Sequence, residues 1–218
     1  MTRVRRPTSG DTAARRRALV HRIAALVLDY PDEELLAQLP ALRAAASTLD
    51  EPFRSQLGGV LGHLSRTPAP ELAADYVATF DLRRRCCLYL TYYAYGDTRK
   101  RGIALLGFKQ AYRLAGLELA ADELPDHLCV LLEFSATADA EAGTRLLLEH
   151  RAGLELLRLA LADAGSPYAD ALAAVSATLP PLAGPDRDAV ARLAAEGPPG
   201  EDVGLEPFAP PDYMGART

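Results

Sequence analysis

Three groups of residues in this 218-residue chain have side chains and spacings that bear on chemistry. Cys86 and Cys87 are adjacent, and Cys129 follows His127 by two positions, so a thiol nucleophile with an imidazole base is one reading. Asp126, Val130 and Glu133 are spaced to share one face of a helix, which aligns two carboxylates about two turns apart with an apolar residue between them. Between Phe80 and Gly102, FDLRRRCCLYLTYYAYGDTRKRG holds six basic residues and four tyrosines, types that hold single-stranded nucleic acid by charge and stacking.

Each group also has a plain structural explanation. The cysteines form neither an even set nor a C-x-x-C pair, and free cysteine is among the most often buried residues, so buried thiols in a reducing compartment are expected. The four histidines (His21, His63, His127, His150) are far apart and lack metal-motif spacing, so no metal site and no cofactor is assigned. The net charge of −5 weighs against a general nucleic-acid binder, and no phosphate-cradling glycine motif is present. The arginine and lysine clusters then read as solvated helix ends. Two readings of Asp126 and Glu133 stay open. One is helix capping with a surface carboxylate; the other is an acidic lip beside an aromatic groove, suited to clamping an arginine-bearing amphipathic peptide.

Apolar periodicity predicts helices throughout. Leu19, Ile23, Leu26, Val27 and Tyr30 form one stripe, closed by Pro31. Leu35, Leu36, Leu39 and Leu42 form the next, with a kink at Pro40; Phe53, Leu57, Val60, Leu61 and Leu64 a third; Leu72, Tyr76, Val77 and Phe80 a fourth. Cys86 to Tyr95 is ambiguous by period, and its surroundings favour helix. Asp97 is a plausible N-cap for a helix over 98–115 ending at Gly116, whose apolar residues go nearly all round, as in a central buried helix. Pro125-Asp126 opens another, 140–164 reads as one long helix, Ser166-Pro167 caps a further one, and Val190 and Leu193 mark the last.

The expected fold class is all-α, a single-domain bundle of about eight to ten helices over 15–196, after a flexible start (1–14) and before a Pro/Gly-rich tail (197–218). Arginines ahead of an apolar run suggest an export signal, but Arg22 interrupts the run and no small-residue cleavage site follows, so a cytoplasmic protein is expected.

Two blocks then carry a family resemblance. Tyr76-Val77-Ala78-Thr79-Phe80-Asp81-Leu82, continuing through Leu90-Thr91-Tyr92-Tyr93-Ala94-Tyr95-Gly96-Asp97-Thr98-Arg99-Lys100-Arg101-Gly102, resembles the hallmark block of the NarJ family, the assembly chaperones (delta subunits) of respiratory nitrate reductase. Leu124-Pro125-Asp126-His127-Leu128 with Leu132-Glu133-Phe134 is similar to that family's second block, shared loosely with the TorD and DmsD group of redox-enzyme maturation chaperones; the tail over 203–213 also resembles the family's ending. The resemblance implies a TorD/NarJ-like, non-enzymatic helical chaperone. Its partner would be the apo alpha (catalytic) subunit and that subunit's N-terminal twin-arginine-like peptide. The chaperone would keep the client competent for iron–sulfur and molybdenum-cofactor insertion before membrane docking, and would itself be a monomer or weak homodimer outside the finished enzyme.

The family role in peptide binding carries onto Asp126 and His127. Aromatic clustering adds Tyr76, Phe80, Tyr92 and Tyr93 as groove-lining candidates, and Glu133, Asp81, Asp97 and Arg99 complete the candidate client-binding set. The chain departs from the pattern at Arg84-Arg85-Cys86-Cys87, where members often carry a less basic, serine-bearing segment, and at Tyr89, near which many have histidine. The alternatives are maturation of another molybdoenzyme, or an enzyme using the cysteine and histidine pair.

Overall fold

The computed structural model describes residues 9–120 and 123–196. Among these are eleven α-helices and no strand beyond one isolated bridge. They are α1 (Ser9–Val27), α2 (Glu33–Ser47), α3 (Phe53–Arg66), α4 (Ala69–Tyr76), α5 (Leu90–Tyr95), α6 (Arg99–Leu114), α7 (Leu128–Thr137), α8 (Ala140–Glu149), α9 (Arg151–Asp163), α10 (Tyr168–Ala177) and α11 (Gly184–Glu196). The all-α bundle is as expected, and none of these helices is long and apolar enough to cross a membrane. Helix α1 already begins at Ser9, within the stretch expected to be flexible, while residues before 9 and the tail over 197–218 lie outside the described residues.

The central element is α1. Its Val20, Ile23, Ala24 and Val27 are buried, as is Leu28 just beyond it, and it packs on α7, α10, α3 and α2. Pro31 stops that stripe, and the Asp32 carboxylate then caps α2 by accepting from the Leu35 amide at 2.8 Å, leaving Glu33 and Glu34 at the positive end of the helix dipole. Helix α3 pairs with α2 and with α10, α7 with α8, and α9 with α10, α11 and α5. Tyr76, Phe80 and Tyr168 form an aromatic cluster in this core, with Tyr76–Phe80 and Phe80–Tyr168 centroids 4.8 and 5.0 Å apart.

Four expectations are corrected. Cys86 to Tyr95 is not one helix: after a π-helical turn (Val77–Asp81), a short 3₁₀ turn (Arg84–Cys86) leads through extended backbone at Cys87 and Tyr89 into α5. Asp97 does not cap α6; Thr98 occupies the cap position and Asp97 accepts from Arg101 one turn on. The 140–164 run breaks at His150, because α8 packs on α7 while α9 turns to α10, α5 and α11. The stripe Leu147, His150, Leu154, Leu157 and Leu161 is compatible with a continuous helix, so the break leaves no mark in the periodicity. Helix α6 is not buried all round: Phe108, Ala111 and Tyr112 face inward, whereas Ile103, Leu106 and Leu114 face solvent.

Candidate peptide-binding cleft

The site is built around an unusual crossing of two non-helical segments. Tyr89 and His127 pair as an antiparallel bridge, with the Leu90 amide donating to the Asp126 carbonyl (3.1 Å) and the Leu128 amide to the Leu88 carbonyl (2.8 Å). Behind this bridge the Asp126 side chain is wholly buried. Its carboxylate accepts from the Thr91 hydroxyl and the Thr91 amide (3.2 Å), and Arg101 Nη2 lies 3.5 Å away. Arg101 also donates to Thr91 Oγ1 and to Asp97 Oδ1, both at 3.1 Å, and its guanidinium lies over the Tyr89 ring, 5.5 Å from the centroid. A buried carboxylate needs such donors and a counter-charge, and here they tie α5, α6 and the start of α7 together. The Tyr112 hydroxyl donates to the Pro125 carbonyl at 2.7 Å and fixes the same segment from α6.

In front of the bridge lies a cleft of about 510 Å³. Tyr89 and His127 form its back, their rings edge to face with centroids 5.1 Å apart. Ala25 and Leu26 come from α1 and Asp29 from just beyond its end, Val130, Glu133, Phe134 and Thr137 from α7, and Leu117, Glu118, Glu123 and Leu124 from the connection after α6. Among the described residues four carboxylates rim the cleft (Asp29, Glu118, Glu123, Glu133), and no lysine or arginine lines it. Leu117 and Leu124 stand partly exposed at the mouth. An apolar floor inside an acidic rim accepts a peptide that presents apolar and cationic side chains together. Glu133 is already engaged by Arg22 of α1, an exposed pair that an incoming arginine can exchange at little cost.

The predicted site residues divide into three sets. His127, at the cap of α7, and Glu133, on that helix, line the cleft together with Val130. Asp126 does not stand on the acidic lip with Glu133: α7 begins at Leu128, so Asp126 sits on the extended segment ahead of it and turns inward. Tyr76 and Phe80 are in the core, with the Tyr76 hydroxyl donating to the Leu28 carbonyl (3.2 Å). Tyr93 is also buried, its hydroxyl shared between the Arg85 and Cys87 carbonyls at 2.9 Å each. Tyr92 is half-buried beside it, while Asp81, Asp97 and Arg99 are exposed and none of the four lines the cleft. Asp29, Glu118, Glu123, Tyr89 and Tyr112 were not predicted. Asp29 is 89 positions from Glu118, and no short-range spacing brings such residues together.

Burial sets the titration of the remaining candidates. It pushes the His127 imidazole below its usual range, against the opposing pull of Asp29 and Asp126. All three cysteines are free, and burial pushes their thiols up, Cys129 furthest; a nucleophilic cysteine requires the opposite shift. No group of three or more potential metal ligands occurs among the described residues.

Among the described residues the chain is thus an all-α bundle with an acid-rimmed, partly apolar cleft. Comparison with known proteins narrows this. The family described as nitrate reductase delta subunit matches residues 33–174, and the chain belongs to that family. It is 36% identical over 157 residues to the "Probable nitrate reductase molybdenum cofactor assembly chaperone NarJ" of Bacillus subtilis, covering 70% of this chain and 84% of that one. It is 31% identical over 150 residues to "Nitrate reductase molybdenum cofactor assembly chaperone NarJ" of Escherichia coli, covering 67% and 64%. Identity is higher, 42% over 172 residues, to "Nitrate reductase-like protein NarX" of Mycobacterium tuberculosis, where the match covers 79% of this chain but only 25% of that longer protein. In fold the chain is similar to the crystal structure of a candidate redox enzyme maturation protein from Archaeoglobus fulgidus, with a TM-score of 0.54 at 22% identity over 80% of this chain and 96% of that one.

Proposed function

We propose that the chain is a non-enzymatic assembly chaperone for a respiratory nitrate reductase, acting in the cytoplasm as a monomer or weak homodimer. Its client is the apo alpha subunit, held through an N-terminal twin-arginine-like peptide while iron–sulfur and molybdenum centres are inserted and before the subunit docks at the membrane. The metal centres are cargo of the client, and the chaperone leaves the finished enzyme. Family membership supports the chaperone role, since the relatives are named for it. The observation that carries the peptide reading is the cleft, whose acidic rim, without a lysine or arginine among the described residues, and whose apolar floor match an arginine-bearing amphipathic segment.

Complementation tests the role. In a strain lacking this chain, the wild type restores nitrate reductase activity and the molybdenum content of the purified enzyme. The rim reversal Glu118→Arg/Glu123→Arg reduces both by about tenfold or more, the loss expected from ~1.4 kcal/mol of client affinity. Cys87→Ser and Cys129→Ser leave both intact, as suits a partly buried and a buried thiol with packing roles alone. Full restoration by the rim variant, or abolition of function by either serine variant in a folded protein, contradicts the proposal.

A further inference from the structure

Helix α6 has a composition unlike the rest of the molecule. Its sequence, RKRGIALLGFKQAYRL, holds five cations and no carboxylate in a chain of net charge −5. Three of its large apolar side chains also stand well exposed: Ile103, Leu106 and Leu114 are 72%, 62% and 81% accessible. At about 100° per residue these three and Gln110 fall in one sector roughly 80° wide. Lys100 flanks that sector on one side and Lys109 and Arg113 on the other, all exposed, with Arg99 at its N-terminal end. Only Arg101 is turned inward, into the Asp126 network.

We infer that this face of α6 docks the protein peripherally on an anionic lipid surface. An interfacial helix lies in the membrane plane with its apolar stripe in the headgroup–acyl boundary and its cations at the waterline on both sides, and α6 presents both in that order. An anionic bilayer meets the two needs at once, offering apolar depth to Ile103, Leu106 and Leu114 and negative surface potential to the flanking cations. The stripe is a convex ridge, and none of its three apolar residues lines the cleft described above. A planar interface accepts a ridge, whereas a partner helix would need to bring a groove. The inference goes beyond the cleft and is independent of it, because the stripe and the cleft occupy different residues.

The test is flotation of the full-length chain with vesicles containing phosphatidylglycerol and, separately, with pure phosphatidylcholine vesicles. The expected result is at least about tenfold more protein bound to the anionic vesicles at low ionic strength, declining as salt rises. Ile103→Ser/Leu106→Ser/Leu114→Ser abolishes flotation, and Lys100→Gln/Lys109→Gln/Arg113→Gln weakens it and flattens its salt dependence. Both variants change exposed positions only, and an unchanged helical circular dichroism spectrum verifies their folding. No flotation with either vesicle, equal binding to both, or binding retained by the serine variant overturns the inference. Self-association of the free chain that the same serine substitutions abolish overturns it in favour of a second copy as the occupant.

Discussion

His21 shows what a single buried side chain does here. It lies on α1 with no exposed surface, its Nδ1 2.9 Å from Ser135 Oγ on α7 and its Nε2 2.8 Å from Thr178 Oγ1 just after α10. Burial first, and then the Arg17 charge, lower its pKa from 6.5 to about 4. The folded pKa lies below the unfolded one, so the unfolded chain binds the proton first as pH falls. Stability is therefore fully present above 6.5, declines between 6.5 and about 4, and falls no further on this account below that, a loss of ~3 kcal/mol. Urea unfolding across this range should show the decline. His21→Gln should flatten it without removing it, since burial lowers His127 and His150 as well. Asp126 is the second such residue. Asp126→Ala leaves Arg101 without its buried partner and should cost ~3 kcal/mol in thermal or chemical unfolding, a stability loss that any change in client binding must be separated from.

At the scale of elements, close packing of α7 and α8 depends on one missing side chain. A Cβ at Gly143 would lie 2.4 Å from Ser135 Cβ and 2.6 Å from its Cα, too near backbone for a rotamer to relieve. Gly143→Ala should therefore destabilise by ~2 kcal/mol despite alanine's better helix propensity, measured as a lower urea midpoint at unchanged slope. The contact also explains how far the elements were legible in the sequence. Stripes such as Phe53, Leu57, Val60, Leu61 and Leu64 identify a helix and its buried face correctly, because period and burial are local properties. The break at His150 and the crossing of Tyr89 with His127 were hidden, because they are set by which neighbour each segment packs against. Helix α6 misled in the opposite sense. Apolar residues all round a helix ordinarily mean burial on all sides, and here one of those faces is left to solvent.

For the whole molecule, the candidate cleft was only half legible. His127 was expected at the site from the family's Pro-Asp-His block and Glu133 from its helical spacing to Asp126, and both line the cleft. Asp29 follows α1 whereas Glu118 and Glu123 lie on the connection after α6, and only tertiary packing gathers them with Glu133 of α7 into one acidic rim. Tyr76 and Phe80 were expected in a groove because aromatic residues suit both grooves and cores, and here the core holds them. The central claim is that the rim and floor bind the client's N-terminal peptide. Titration calorimetry of the full-length chain with a synthetic peptide from the N-terminus of the nitrate reductase alpha subunit tests it most directly. The account predicts saturable binding near neutral pH, weakened about tenfold or more by Glu118→Arg/Glu123→Arg and by replacing the peptide's arginines with glutamine. Absence of binding to the wild type, or affinity unchanged by both the rim reversal and the arginine replacement, contradicts it.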